Sequence, residues 1–113
     1  MLQKRFDDFI TEKRNISRAD KKAWIDKLST AMIEEAIEVK EHSDWKWWKN
    51  QRDLDESKVK EEMIDVLHFW LSLCVTMGWS AEEMFDIYKE KNLENFNRQK
   101  GLSEKHDAAR YVL

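Results

Sequence analysis

Apolar residues recur along this chain at helical spacing and almost nowhere alternate. Leu2, Phe6, Phe9 and Ile10 fall on one stripe of a short first helix. Trp24, Leu28, Ala31, Met32 and Ile33 keep a three-and-four step through a second helix. Ser17 and Asp20 open that helix as a capping box, and it runs to about Ser43. The stretch from Asp44 to Glu56 reads as a loop. A third helix spans about Glu56 to Met77 and stops at Gly78, suited to a left-handed cap. Ser80 with Glu83 starts a fourth, which reaches about Gln99, with Gly101 beyond it. The tail after Gly101 is polar until Tyr111, Val112 and Leu113 and is expected to be loosely held.

With no proline, two glycines and no hairpin signal, the chain is expected to be all-α. One domain over residues 1–113 is expected, a compact four-helix-bundle core with its motifs between residues 20 and 101. The third helix is apolar nearly all round after Asp65, from Val66 and Leu67 through Phe69, Trp70, Leu71, Leu73, Cys74, Val75 and Met77. Such a helix is buried on most sides, and so short a chain has too few others to cover it. Oligomerisation through this helix is therefore expected to complete the core, as a homodimer or a dimer of dimers. Its one polar stripe is Asp65, His68, Ser72 and Thr76.

Composition narrows the function classes. Hydrophobic residues at 42% and charged residues at 38% describe a globular chain. A net charge of -3 with no basic face argues against a nucleic-acid partner. The longest apolar run, about Val66 to Trp79, is interrupted and too short for a bilayer, and MLQKRFDDFI has no signal region. A soluble, cytoplasmic protein with no membrane partner is expected. The single cysteine, Cys74, lies in the apolar run and reads as a packed thiol in a reducing compartment.

The chemistry lies in two acidic pairs, Glu35-x-x-Glu38 and Glu62-x-x-Asp65. Residues three apart share a helix face, so packing the two helices together converges four carboxylates. Like charges at that range need a cation, and hard oxygen donors suit magnesium, or manganese, better than zinc. A solvated acidic surface is the plain alternative for Glu34, Glu35, Glu38, Glu41, Glu61, Glu62 and Asp65. Flanking by Met63, Ile64, Val66 and Leu67 turns part of that face toward the core, against the plain reading. A di-iron bundle would need Glu-x-x-His steps on two helices. Here only Asp65-x-x-His68 resembles one, and His42 stands four residues after Glu38.

Two further groups can bind a ligand. Lys91, Asn92, Asn95 and Arg98 close the fourth helix, and interior asparagines are poor helix formers. Amide and cationic donors together suit phosphate oxygens or a sugar hydroxyl. Trp45, Trp47 and Trp48, beside Lys46 and Lys49, either close a small core or offer Trp45 and Trp48 as a stacking surface for a base. His68 reads as a satisfied core histidine or as a group that orients a ligand.

Taken in order, EExxE (Glu34, Glu35, Glu38), EExxD (Glu61, Glu62, Asp65) and KNxxNxxRQ (Lys91, Asn92, Asn95, Arg98, Gln99) resemble the all-α nucleoside triphosphate pyrophosphohydrolases. That superfamily includes the MazG proteins and the dimeric dUTPases. EEMIDVLHFWLSL, KNLENFNRQ and WKWWKN are similar to the dimeric dUTPase branch over about residues 20–101. The resemblance implies a MazG-like bundle that cleaves between the α- and β-phosphates, releasing monophosphate and pyrophosphate as a house-cleaning hydrolase of nucleotide pools. It implies Glu35, Glu38, Glu62 and Asp65 as magnesium ligands, with Glu34 or Glu41 positioning or deprotonating water. Lys91, Asn92, Asn95 and Arg98 would then contact phosphates and sugar, and Trp45, Trp48 and His68 the base. The chain is shorter than typical dimeric dUTPases, and the motifs identify no uracil reader. The leading expectation is thus a general deoxynucleoside triphosphate pyrophosphohydrolase, with a dUTP-specific diphosphatase and a non-catalytic helical binding module as alternatives.

Overall fold

The computed structural model describes residues 2–17 and 19–101. They form four α-helices, α1 (Leu2–Lys13), α2 (Lys21–Glu41), α3 (Glu56–Met77) and α4 (Ala81–Gln99), with no strand among the described residues. The chain is all-α, as its periodicity predicts. Tyr111, Val112 and Leu113 lie outside the described residues.

Local chemistry sets the helix ends. Asp55 and Asp20 are the N-caps of α3 and α2, each accepting an amide N–H three residues on. The capping box expected of Ser17 with Asp20 is not how α2 begins. Asp20 itself takes the extended cap conformation, and its carboxylate accepts from the Ala23 N–H at 3.1 Å. Ser17 lies one turn too early; its hydroxyl accepts from the Ala19 N–H, and its carbonyl from the Trp24 indole at 2.8 Å. Gly78 ends α3 with φ +78, where a Cβ would be strained, and its N–H closes back on the Cys74 and Val75 carbonyls.

The chain divides into two units, residues 1–78 and residues 79–113. In the first, α3 packs along α2 and also against α1. Leu28, Ser72 and Cys74 are buried there, and burial pushes the Cys74 thiol above its usual pKa. Within the single chain the apolar girdle of α3 is covered only in part. Ile64, Leu67 and Trp70 stay 40 to 50% exposed, because two neighbouring helices cover only a sector of a third. Among the described residues no single helix is long and apolar enough to cross a membrane.

The second unit contains α4. Ser80 and Glu83 close a reciprocal capping box at its start, as the sequence predicts, and Phe85 stacks on Tyr88 one turn along.

Candidate active site

Packing of α2 on α3 brings the two acidic pairs together. One carboxylate oxygen from each of Glu35, Glu62 and Asp65 lies within 4.8 Å of the others, and all three residues are half-buried. Glu38 is more exposed, yet its carboxyl is near enough to raise the pKa of both Glu35 and Glu62. The four carboxylates expected from spacing therefore meet, three as a cluster and the fourth at its edge.

The electrostatics of the cluster are those of a site short of positive charge. Burial, then the neighbouring Glu38, Asp65 and Glu62, holds the Glu35 carboxyl above its ordinary pKa. Contact with Glu38 raises Glu62 first, with burial adding to it and His42 acting in the opposite sense. His42 Nε2 stands 3.7 Å from Glu62 Oε1. Glu35 Oε2 is enclosed and has no hydrogen-bond partner among the described residues. An enclosed acceptor facing like charges is costly alone and satisfied by a cation. The donor set, all hard oxygens, fits a divalent cation of the magnesium type.

A cavity of about 390 Å³ opens beside the cluster between α1, α2 and α3, with Glu35 and Asp65 in its wall. The polar stripe of α3 lines it from end to end, as Asp65, His68, Ser72 and Thr76. Across from Ser72, α1 supplies Gln3 and Asp7. Gln3 Nε2 donates to Asp7 Oδ1 and to Ser72 Oγ, both at 2.9 Å, and the Ser72 hydroxyl donates to Asp7 Oδ1 at 2.8 Å. The apolar stripe of α1 gave no sign of Gln3 or Asp7. A signal was present: Gln3, Asp7, Ile10 and Thr11 stand at helical steps of four, three and one, and all line the cavity.

Glu34 and Glu41 are exposed on α2. Trp45 and Trp48 meet edge to face in the loop after α2, outside the wall of the cavity. That loop is clamped by the Arg52 guanidinium on the Asp44 carboxylate, which also accepts the Arg52 N–H at 2.6 Å. Arg52 holds Asp44 below the usual carboxylate range. On α4, Lys91, Asn92 and Asn95 are exposed, and Arg98 pairs with Glu94 at 3.3 Å.

Over 67 residues the chain is 40% identical to a dCTP pyrophosphatase of Enterobacteria phage LZ5 and 37% identical to one of Enterobacteria phage T4. Each alignment covers 49% of this chain and 39% of the relative, so the chain spans about two fifths of the length of these proteins. A DNA replication protein of Enterobacteria phage T4 is 34% identical over 65 residues, covering 47% of this chain and 17% of that protein. No solved structure matches the chain. A family model described as dUTPase matches residues 1–80. That match takes in α1 and both acidic motifs and ends before the KNxxNxxRQ series of α4. On these residues the chain belongs to the dUTPase family, among the all-α nucleoside triphosphate pyrophosphohydrolases.

Proposed function

We propose that this protein is a magnesium-dependent pyrophosphohydrolase of pyrimidine deoxynucleoside triphosphates, which takes up water and releases a nucleoside monophosphate and pyrophosphate. The observation that carries the reading is the convergence of Glu35, Glu62 and Asp65 beside a cavity of about 390 Å³ whose wall includes Glu35 and Asp65, within the range of small-molecule sites. Family membership and the dCTP pyrophosphatase relatives support the reaction class and the pyrimidine.

In this reading Glu35, Glu62 and Asp65, with Glu38 at the edge, hold the metal. When bound, the metal neutralises phosphate charge and lowers the pKa of water. Glu34 or Glu41 orients or deprotonates the attacking water. The cavity takes the nucleoside, with His68 beside the base; Trp45 and Trp48 would stack on a base only after a rearrangement of their loop. Lys91, Asn92, Asn95 and Arg98 serve the phosphates and sugar. The half-exposed Ile64, Leu67 and Trp70 favour a homodimer or dimer of dimers, and the buried Cys74 thiol accords with a cytoplasmic setting.

Incubation with magnesium and a nucleotide panel tests the reaction. Monophosphate and pyrophosphate are expected, and release of orthophosphate would overturn it. A dUTP-specific diphosphatase is the second reading, favoured by the description of the family; comparable rates on the other pyrimidine nucleotides would exclude it.

A further inference from the structure

Asp65 lies in the wall of two concavities. On one side of it, α3 lines the deeper cavity with residues that follow in sequence, His68, Phe69, Ser72 and Thr76. On the other, Lys60, Glu61 and Ile64, which precede it, line a depression that opens broadly to solvent. The carboxylates of Glu35, Glu62 and Asp65 therefore stand where a largely apolar cavity meets an open, charged surface.

Lys60 is the only cation among the described residues of the open depression, and its exposed ammonium has no hydrogen bond or ion pair among the described residues. A lysine on a helix surface is ordinarily just solvated, but the place of this one sets it apart. It stands five residues before Asp65, about 7.5 Å along α3 toward its N-terminus, opposite to the direction in which the cavity runs. A triphosphate with its nucleoside in the cavity and its α-phosphate at the carboxylates has this side left for its β- and γ-phosphates. A lysine ammonium is a compact point charge suited to phosphate oxygens. Glu61 on the same rim would repel a bare anion, so the depression suits phosphates already carried on a metal ion.

We infer that Lys60 holds the leaving group: its ammonium binds the β- and γ-phosphates over the open depression and stabilises the pyrophosphate as it departs. This rests on the reading of the carboxylates and the cavity as a nucleoside triphosphate site. In the reaction the water oxygen bonds to the α-phosphorus and the bond from that phosphorus to the bridging oxygen breaks. The electron pair of the broken bond goes to the pyrophosphate, and the water gives up its proton to a carboxylate or to solvent. Negative charge grows on the leaving group in that step, so a cation placed there favours the step as well as the binding. The open side also gives pyrophosphate an exit that does not pass through the nucleoside cavity.

Lys60→Gln tests this against Lys58→Gln, which removes the same charge from α3 outside the depression. With magnesium and dCTP, Lys60→Gln should lower kcat/KM about tenfold or more, the loss of one charged contact. Lys58→Gln should stay within about twofold of wild type, as an exposed charge does. Binding then separates the two ends of the substrate. With magnesium, pyrophosphate should raise the melting temperature of the wild type and of Lys58→Gln, and Lys60→Gln should need about ten times more of it for the same rise. The response to dCMP should be the same in all three proteins, whereas a fold defect would weaken both responses together. Lys60→Arg, which keeps the charge, should recover most of both losses. Equal effects of Lys60→Gln and Lys58→Gln, or an unchanged pyrophosphate response in Lys60→Gln, overturn the inference. If the wild type binds pyrophosphate without turning over dCTP, the melting comparison decides alone. A wild type that neither hydrolyses triphosphates nor responds to pyrophosphate or dCMP instead overturns the nucleotide reading beneath it.

Discussion

Two acidic sites flank the C-terminal end of α2, and they are built in opposite ways. Asp44 is answered within the chain: Arg52 bonds it through its side chain and its backbone N–H, and its pKa is pushed down. Glu35, Glu62 and Asp65 sit on one another with no arginine or lysine paired to them among the described residues, only His42 near Glu62, and Glu35 and Glu62 are pushed up. The same residue chemistry gives a finished structural clamp in one place and an open valence for a cation in the other. Acidic content alone does not separate the two; the sign of the pKa shift and the presence of an internal cation do.

The comparison breaks most sharply by removing charge from the open site. Asp65→Asn or Glu35→Gln should lower kcat by at least about 100-fold, more than the loss of an outer-shell contact costs, in a steady-state pyrophosphate-release assay. Arg52→Ala should leave kcat within a few-fold of wild type in the same assay. Next in size is metal-linked stability. Saturating magnesium should raise the melting temperature by on the order of 10 °C, and neither Asp65→Asn nor Glu35→Gln should retain that rise.

Acidity sharpens the contrast further. Folded Glu35 and Glu62 bind protons more tightly than their unfolded forms, so metal-free stability should fall as pH rises through 4.5 and above, and magnesium should remove that fall. Asp44 behaves oppositely. Its contribution is present above its ordinary 3.8 and is lost as pH falls toward its lowered folded value. The smallest effect is expected from Arg52→Ala on stability at neutral pH, a few degrees at most, because the Arg52 side chain is largely solvent-exposed. Calorimetric melts across pH, with and without magnesium, check both.

Much of this was legible in the sequence. Helix spacing placed Glu35 with Glu62 and Asp65, and the stripe Asp65, His68, Ser72, Thr76 did line one cavity. Gly78 and the Ser80–Glu83 box marked their helix ends because each acts through local backbone geometry. The Ser17 cap was misplaced because several nearby residues can cap, and only the backbone decides which reaches the first free amide. Gln3 and Asp7 were missed because a search for apolar periodicity passes over polar residues that face a cavity. The sequence marked α3 as more apolar than so short a chain can cover, and Ile64, Leu67 and Trp70 do stay partly exposed.

The polar stripe on α3 also works as a gauge of length. Ser72 stands seven positions after Asp65, about two turns or roughly 10 Å along the axis. For a substrate bound as proposed, that pitch fixes how far the reacting phosphates stand from the edge of the base. One residue inserted between them would swing the far end by about 100° and take Ser72 out of the cavity altogether. Substitutions along the other faces of α3 leave the gauge unchanged, but a change in its residue count would reset it.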